Sequence, residues 1–266
     1  MKKALKHSII SWVGLNIKPG RGFFIRIMSL FIASLVWQGS SYLGFSNSLF
    51  PTPTRVFHAL LFMFIHDHYL MDVLASSQRL IVGYCAGAAM GVMLGLLTGR
   101  FELMNNILGP IIQALRPISP ISLVPIAILW FGLGDTSKYF LVFWGVFFPV
   151  WINTNIGVKN IDQHYVWAAQ SLGAKQLTLL FTVILPAAMT MILAGLRTAI
   201  PIAFYTIVAA ELAGAYSGVA YQMNVSELDM RFGQMFAGLV VLGIMSTIAD
   251  KVFVLFTRAI FPWSYQ

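Results

Sequence analysis

Two arginines in this chain fall where a cation is expensive. Arg116 lies among Pro110, Pro117, Pro120 and Pro125, and Arg197 follows Pro186 by eleven residues, each in a stretch that carries no other charge. A guanidinium held away from bulk water draws an anion or a carboxylate strongly. Gln113, Ser119, Ser122, Asn153, Asn155 and Tyr205 are placed to add hydrogen bonds to such a ligand. Two readings stay open. The arginines line a path for a small anion, or they close structural ion pairs, Arg197 with Asp250 or Glu211. Other chemistry is poorly supported. His66-Asp67-His68 has the look of a metal site, but two histidines with no cysteine or further histidine nearby read as a solvated loop. No nucleophile–base–acid set and no glycine-rich loop ending in Lys-Ser/Thr is present, so no catalytic residue, metal or cofactor is assigned and the chain is not expected to bind ATP.

A second constellation is mechanical rather than catalytic. Between Asn160 and Pro186 the apolar pattern breaks into a short polar segment. Asn160 is expected to cap a helix of about three turns starting at Ile161, with Gln163 reaching back as in a capping box. Ile161, Tyr165, Ala168, Ala169 and Leu172 then share one apolar face, and Gly173 ends the helix in a left-handed conformation. Trp167 projects from the other side near Gln163 and Gln170, as an anchor for a partner's pocket or as an interfacial tryptophan.

The elements that must position these residues are membrane spans. Hydrophobic residues make up 58% of the 266 and charged residues 10%, against about 25% in a soluble protein. Apolar runs long enough to cross a bilayer cover 27–54, 80–99, 117–134 (joined by 103–115), 139–158, 176–196 (extended by 198–210) and 232–249. About six spans follow, all helical, because the runs are too long and too uniformly apolar for barrel strands. The net charge of +8 would point to nucleic acid in a soluble protein; here no nucleic-acid partner is expected, and the charge gives topology instead. Lys2, Lys3, Lys6, Lys18, Arg21, Arg26, Arg100, Lys159, Lys175 and Arg258, ten of seventeen basic residues, fall on one face, which puts both termini in the cytoplasm of a multi-pass inner-membrane protein. Residues 1–22 read as a helix lying on the inner leaflet, residues 23–69 as the first span with its outer loop, and 70–260 as the core. The single cysteine, Cys85, sits within a span, so no intrachain disulfide is available. No signal-peptide cleavage pattern follows the basic N-terminus.

Two spans have unusual composition. Gly83, Gly87, Gly91, Gly95 and Gly99 recur every four residues and form a groove along one helix ridge, for packing within one copy or against a neighbour. The prolines around Arg116 predict a broken helix, which membranes tolerate where it is buried or lines a watery cavity.

At this point the chain resembles a known family. Ala168-Ala169, then Gly173, then Val183-Ile184-Leu185-Pro186 is similar to the EAA loop of permease subunits in binding-protein-dependent ABC importers, with Trp167 where that pattern has Glu. Leu49-Phe50-Pro51-Thr52-Pro53, Ala75-Ser76-Ser77-Gln78-Arg79, Arg116-Pro117-Ile118-Ser119-Pro120, Ala127-Ile128-Leu129-Trp130-Phe131-Gly132, Gly195-Leu196-Arg197 and Ala209-Ala210-Glu211 resemble its nitrate/sulfonate/taurine/bicarbonate branch, over about residues 49–260. The resemblance implies an all-α type I permease fold in membrane lipid, a homodimer as the simplest assembly, a periplasmic or lipoprotein binding protein outside, and a separate cytoplasmic ATPase that hydrolyses ATP. It implies coupling through the segment 160–176, with Trp167, Ala168, Ala169, Gln170, Gly173 and Lys175 as contact residues, and Arg116, Ser119, Arg197 and Tyr205 as pathway candidates. Permeases for thiamine precursors or other small organic molecules look alike. A secondary transporter driven by an ion gradient is the more distant alternative, and it would call for paired carboxylates or inverted repeats inside the spans.

Overall fold

A computed structural model describes residues 19–40, 50–67 and 69–262, and every regular element among them is helical. The chain divides into two compact units, residues 1–58 and 59–266. In the first unit, helix α1 (Pro19–Ser40) exposes Met28, Phe31, Ile32, Leu35 and Val36, as a lipid-facing helix does. Helix α2 (Pro53–His66), whose residues 59–66 belong to the second unit, starts with proline at its first position, and Thr52 Oγ1 accepts from the Arg55 amide at 3.3 Å. The interfacial segment expected at the N-terminus lies outside the described residues up to Pro19, as does His68 of the His-Asp-His triplet.

The second unit carries α3 (Tyr69–Arg100), α4 (Glu102–Leu115), a 3₁₀ turn (Pro120–Leu123), α5 (Val124–Phe131), α6 (Asp135–Lys159), α7 (Gln163–Ser171), α8 (Gln176–Leu212), α9 (Val219–Leu228) and α10 (Phe232–Ile260). Among the described residues four helices, α3, α6, α8 and α10, are long and apolar enough to cross a membrane. The count is five if α4 and the Pro120–Phe131 pair are one crossing; these meet at 83°, at the break that the prolines around Arg116 predict. Part of the expected first span, 27–54, lies outside the described residues.

The bend has local causes. Pro120 disfavours helical geometry at Ser119, which is extended (φ −65°, ψ 136°), and the Ser119 hydroxyl oxygen accepts from the Ile121 amide at 3.3 Å. Gly132, at φ +75°, ends α5. A different proline effect shapes α8. Pro186 cannot donate a hydrogen bond and crowds the carbonyl four residues back, and the segment Leu180–Ile184 just before it widens into a π-helix.

Helix α6 is the centre of this unit, packed between α3 and α8. The five ridge glycines of α3 all face it. A Cβ at Gly83, Gly87, Gly91, Gly95 or Gly99 would stand 2.5–2.9 Å from the Cβ of Val142, Val146, Val150, Thr154 or Val158, in that order. The partners also recur every four residues, and all are β-branched. The ridge is therefore packing within one copy of the chain. On the other side, Gly145 and Gly157 of α6 and Gly195 of α8 leave room for each other's helices in the same way.

Candidate coupling helix and translocation cavity

Helix α7 starts two residues later than composition predicts. Asn160 is used up as the C-cap of α6, its amide bonded to the Ile156 carbonyl at 3.0 Å. Asp162 is the N-cap instead, extended at ψ 126°, with Oδ1 accepting from the His164 amide at 2.9 Å. That amide, and then the His164 ring, hold the Asp162 carboxyl below the usual carboxylate range. The helix spans nine residues, and no Asn160–Gln163 capping box forms.

Its C-terminus matches expectation. Gly173 sits at φ +82°, its amide donates to the Gln170 carbonyl at 2.9 Å, and the Ala174 amide reaches back to Ala169 at 3.0 Å. These two bonds satisfy carbonyls that a helix end leaves unpaired. The buried face differs from the predicted one. Val166 is the buried residue of α7, with Ile161 and Ala169 half-buried beside it. They join a cluster with Val158 of α6 and Leu179, Ile184, Ala188 and Ile192 of α8. Tyr165, Ala168 and Leu172, expected on the apolar face, are exposed, as are Gln170, Gly173 and Lys175. So short a helix has one row of side chains covered by its neighbours, and Val166 holds that row. Trp167 is 57% exposed with the His164 ring edge-on at 5.5 Å, and Leu172 is 89% exposed. One end of a two-helix joint thus presents aromatic and aliphatic surface outward while remaining wedged into α6 and α8.

The corner of the bent pair borders two cavities. One, of about 570 Å³, is lined by Gln113, Arg116, Pro117, Trp151 and Ile152. The other, of about 420 Å³, brings together Arg116, Ser119 and Tyr205 with Asn153 and the apolar walls Trp144 and Phe148. Three of the four pathway candidates therefore meet. The fourth does not: Arg197 lines neither cavity. It makes a two-pronged ion pair with Asp250, at 2.7 and 2.9 Å, that ties α8 to α10. Asn155 is also committed elsewhere, donating to Thr98 Oγ1 at 2.7 Å, where Trp151 Nε1 donates as well.

Sequence reasoning missed a charge cluster at the far end of α6. Glu211, a candidate partner for Arg197, instead meets Arg79 of α3 at 2.9 Å, and Arg79 also reaches Asp135 at 2.7 Å. Ser76 donates to Glu211 at 2.7 Å and Ala220 N–H at 3.1 Å, while Arg79 donates to the Ser217 carbonyl and hydroxyl. Gly218, at φ +121°, passes so close that a Cβ there would stand 2.5 Å from the Glu211 carboxyl. Asp72 and Lys138 are buried as well. Asp72 accepts from the Gly218 amide at 2.6 Å, and Lys138 Nζ donates to the carbonyls of Leu133, Gly134 and Gly214. The available signal was the pair of short motifs holding Arg79 and Glu211, which individually gave no partner.

Comparison with known proteins fits this geometry. The family model for binding-protein-dependent transport system inner membrane components matches residues 88–263. The taurine transport system permease protein TauC of Escherichia coli (strain K12) is 31% identical over 245 residues, 90% of this chain and 89% of that protein. A permease of Bacillus subtilis (strain 168) named for aliphatic sulfonates transport, SsuC, is 31% identical over 255 residues, 94% and 92% of the two chains. The nitrate import permease protein NrtB of Synechocystis sp. (strain PCC 6803) is 29% identical over 192 residues, 72% and 70%. Among solved structures, the methionine ABC transporter MetNI in an inward-facing form shares the fold, with a TM-score of 0.60 at 18% identity over 72% of this chain and 95% of that one. The chain belongs to the family of binding-protein-dependent transport system inner membrane components, the permease subunits of ABC importers.

Proposed function

We propose that this permease carries a small anion of the sulfonate, taurine, nitrate or bicarbonate class across the inner membrane, as a homodimer with both termini cytoplasmic. Two similar proteins are named for aliphatic sulfonates and taurine and a third for nitrate, and those substrates each present one singly charged oxyanion group, which in taurine is accompanied by an ammonium. Arg116 at the bent corner, beside two cavities, supplies the matching charge. ATP is hydrolysed on a separate subunit, into whose groove α7 seats Trp167, Ala168, Gln170, Gly173 and Lys175, while Ala169, expected among these contacts, packs against the Val166 cluster instead. Closure of that ATPase pushes α7, and the Val166 cluster passes the push to α6 and α8. A binding protein delivers substrate at the opposite end.

The observation that carries this reading is the exposed Trp167 on a helix whose reverse face is locked between α6 and α8. Gly173→Asp tests it. No atom lies within 4 Å of a Cβ at Gly173, and aspartate tolerates the left-handed region better than most residues, so the substitution adds backbone strain of about 1–2 kcal/mol at φ +82° but no clash. The added charge sits at the docking surface. Transport in vesicles should be abolished, with ATP hydrolysis uncoupled and membrane insertion unchanged. Wild-type uptake by this variant refutes the coupling role.

A further inference from the structure

We infer that the permease itself binds the anion, at the corner of the bent pair, with Arg116 as the cation and Ser119, Tyr205 and Thr206 as hydroxyl donors. This rests on the anion reading above and goes beyond it, because it requires binding with no binding protein present.

Four observations converge on the site. Arg116 lines both cavities, so one cationic residue borders two spaces large enough for a small molecule. Among the described residues that side chain has no hydrogen-bond or ion-pair partner, whereas Arg79, Lys138 and Arg197 are all engaged. No Asp or Glu lines either cavity, so nothing there competes for the cation. Ser119 Oγ already accepts from the Ile121 amide, which leaves its proton to donate.

The hydroxyl of Thr206 is the least expected member. Thr206 is 1% exposed, and its Oγ1 has no partner among the described residues, a costly state for a buried hydroxyl. It stands 2.9 Å from where a Cβ of Gly145 would be, with Ile202 and Pro120 at 3.3 and 3.4 Å from the same point. Gly145, Ile202 and Pro120 all line the 420 Å³ cavity. The missing side chain at 145 thus leaves an unsatisfied donor directly behind the cavity wall.

The donor set selects a class of ligand. One cation with hydroxyl donors fits a monovalent oxyanion, and the neighbouring Trp144, Phe148 and Ile118 suit a short apolar tail better than a second charge. A station on a transport path must also release its cargo, so binding should be weak, in the millimolar range.

The test uses the permease with its ATPase in nanodiscs and no binding protein, with ethanesulfonate as the probe, followed by saturation-transfer NMR against empty nanodiscs. We expect saturable binding displaced by nitrate and not by ethylammonium. Arg116→Gln should weaken it at least tenfold, equivalent to about 1.4 kcal/mol; Tyr205→Phe and Thr206→Val should each weaken it a few-fold. The conservative Arg116→Lys should retain part of it. Absence of saturable binding well above the millimolar range in the wild type, or unchanged binding in Arg116→Gln, overturns the inference. Copurification of the ATPase in the same preparation reports separately on the coupling role, so either idea can fail alone. Unchanged binding in Thr206→Val with a loss in Arg116→Gln removes Thr206 from the site.

Discussion

The two ends of α6 are held in opposite ways. Its first turn meets a network of the buried Arg79, Glu211 and Ser76 with the exposed Asp135, in which α3, α6, α8, the start of α9 and the Ser217–Gly218 turn share hydrogen bonds. Its last turn, some 36 Å away at 1.5 Å per residue, meets the hydrophobic cluster around Val166, beyond which α7 turns aromatic surface outward, and its polar contact there is an exposed one, Lys159 Nζ donating to Asn105 Oδ1 at 2.9 Å. Directional bonds to buried charges tolerate little displacement, because each broken bond strands a charged group. Apolar contacts between Val158, Val166 and Ile184 permit small shifts at lower cost. The contrast suits a lever pinned at one end and pushed at the other.

Removing the pin should have the largest effect. Arg79→Leu strands the Glu211 carboxylate and is expected to cost about 3–5 kcal/mol, visible as loss of folded protein from the membrane and a lower denaturation midpoint. The double variant Arg79→Leu/Glu211→Leu should recover much of that loss, since neither charge is then left alone. If the single and double variants are equally unstable, the charges do not act as a pair. At the other end, Gly173→Asp should lower the denaturation midpoint only slightly while uptake disappears, the reverse pattern. Trp167→Ala should be milder. A tryptophan anchor is typically worth about 2 kcal/mol or more at a partner surface, so ATPase copurification should fall while thermal stability of the permease alone stays put. A Trp167 variant that retains wild-type ATPase affinity would move the anchor to Tyr165 or Leu172, both also exposed.

The smallest expected effect is on the cap. The Asp162 carboxyl is held below its ordinary range by the His164 amide, so its ionised form favours the helix. The sign follows directly. The stabilisation is full above the ordinary carboxylate range and fades as pH falls through the depressed folded value. Hydrogen exchange of the His164 amide should therefore gain protection from α7 at neutral pH and lose it in acid, and Asp162→Ala should abolish that pH dependence without changing uptake at neutral pH.

How much of this could be read from residues alone divides along a physical line. Local determinants were legible. Pro120 forces Ser119 out of helix, and Gly173 takes the left-handed cap, because both depend on a few adjacent residues. The glycine ridge was legible as packing, although its mate emerged only from the α6 repeat of Val142, Val146, Val150, Thr154 and Val158. Long-range pairing was not. Arg79 and Glu211 are 132 positions apart, and nothing local distinguishes Glu211 from Asp250 as the partner of Arg197. The covered face of α7 was misjudged because burial there is decided by the neighbours α6 and α8, not by how apolar Tyr165 and Leu172 are.

The α3–α6 seam also limits what can slide. Valine holds one rotamer in a helix and the branch at Cβ is fixed in threonine too, so the four valines and Thr154 behave as rigid teeth set against gaps at a four-residue pitch. Moving one helix along the other by less than a full pitch, about 6 Å, would drive every tooth into backbone at once. Partial slip is thereby forbidden, and the two helices must swing as one solid bar during each stroke of the pump, leaving the gearing to the seams on either side of it.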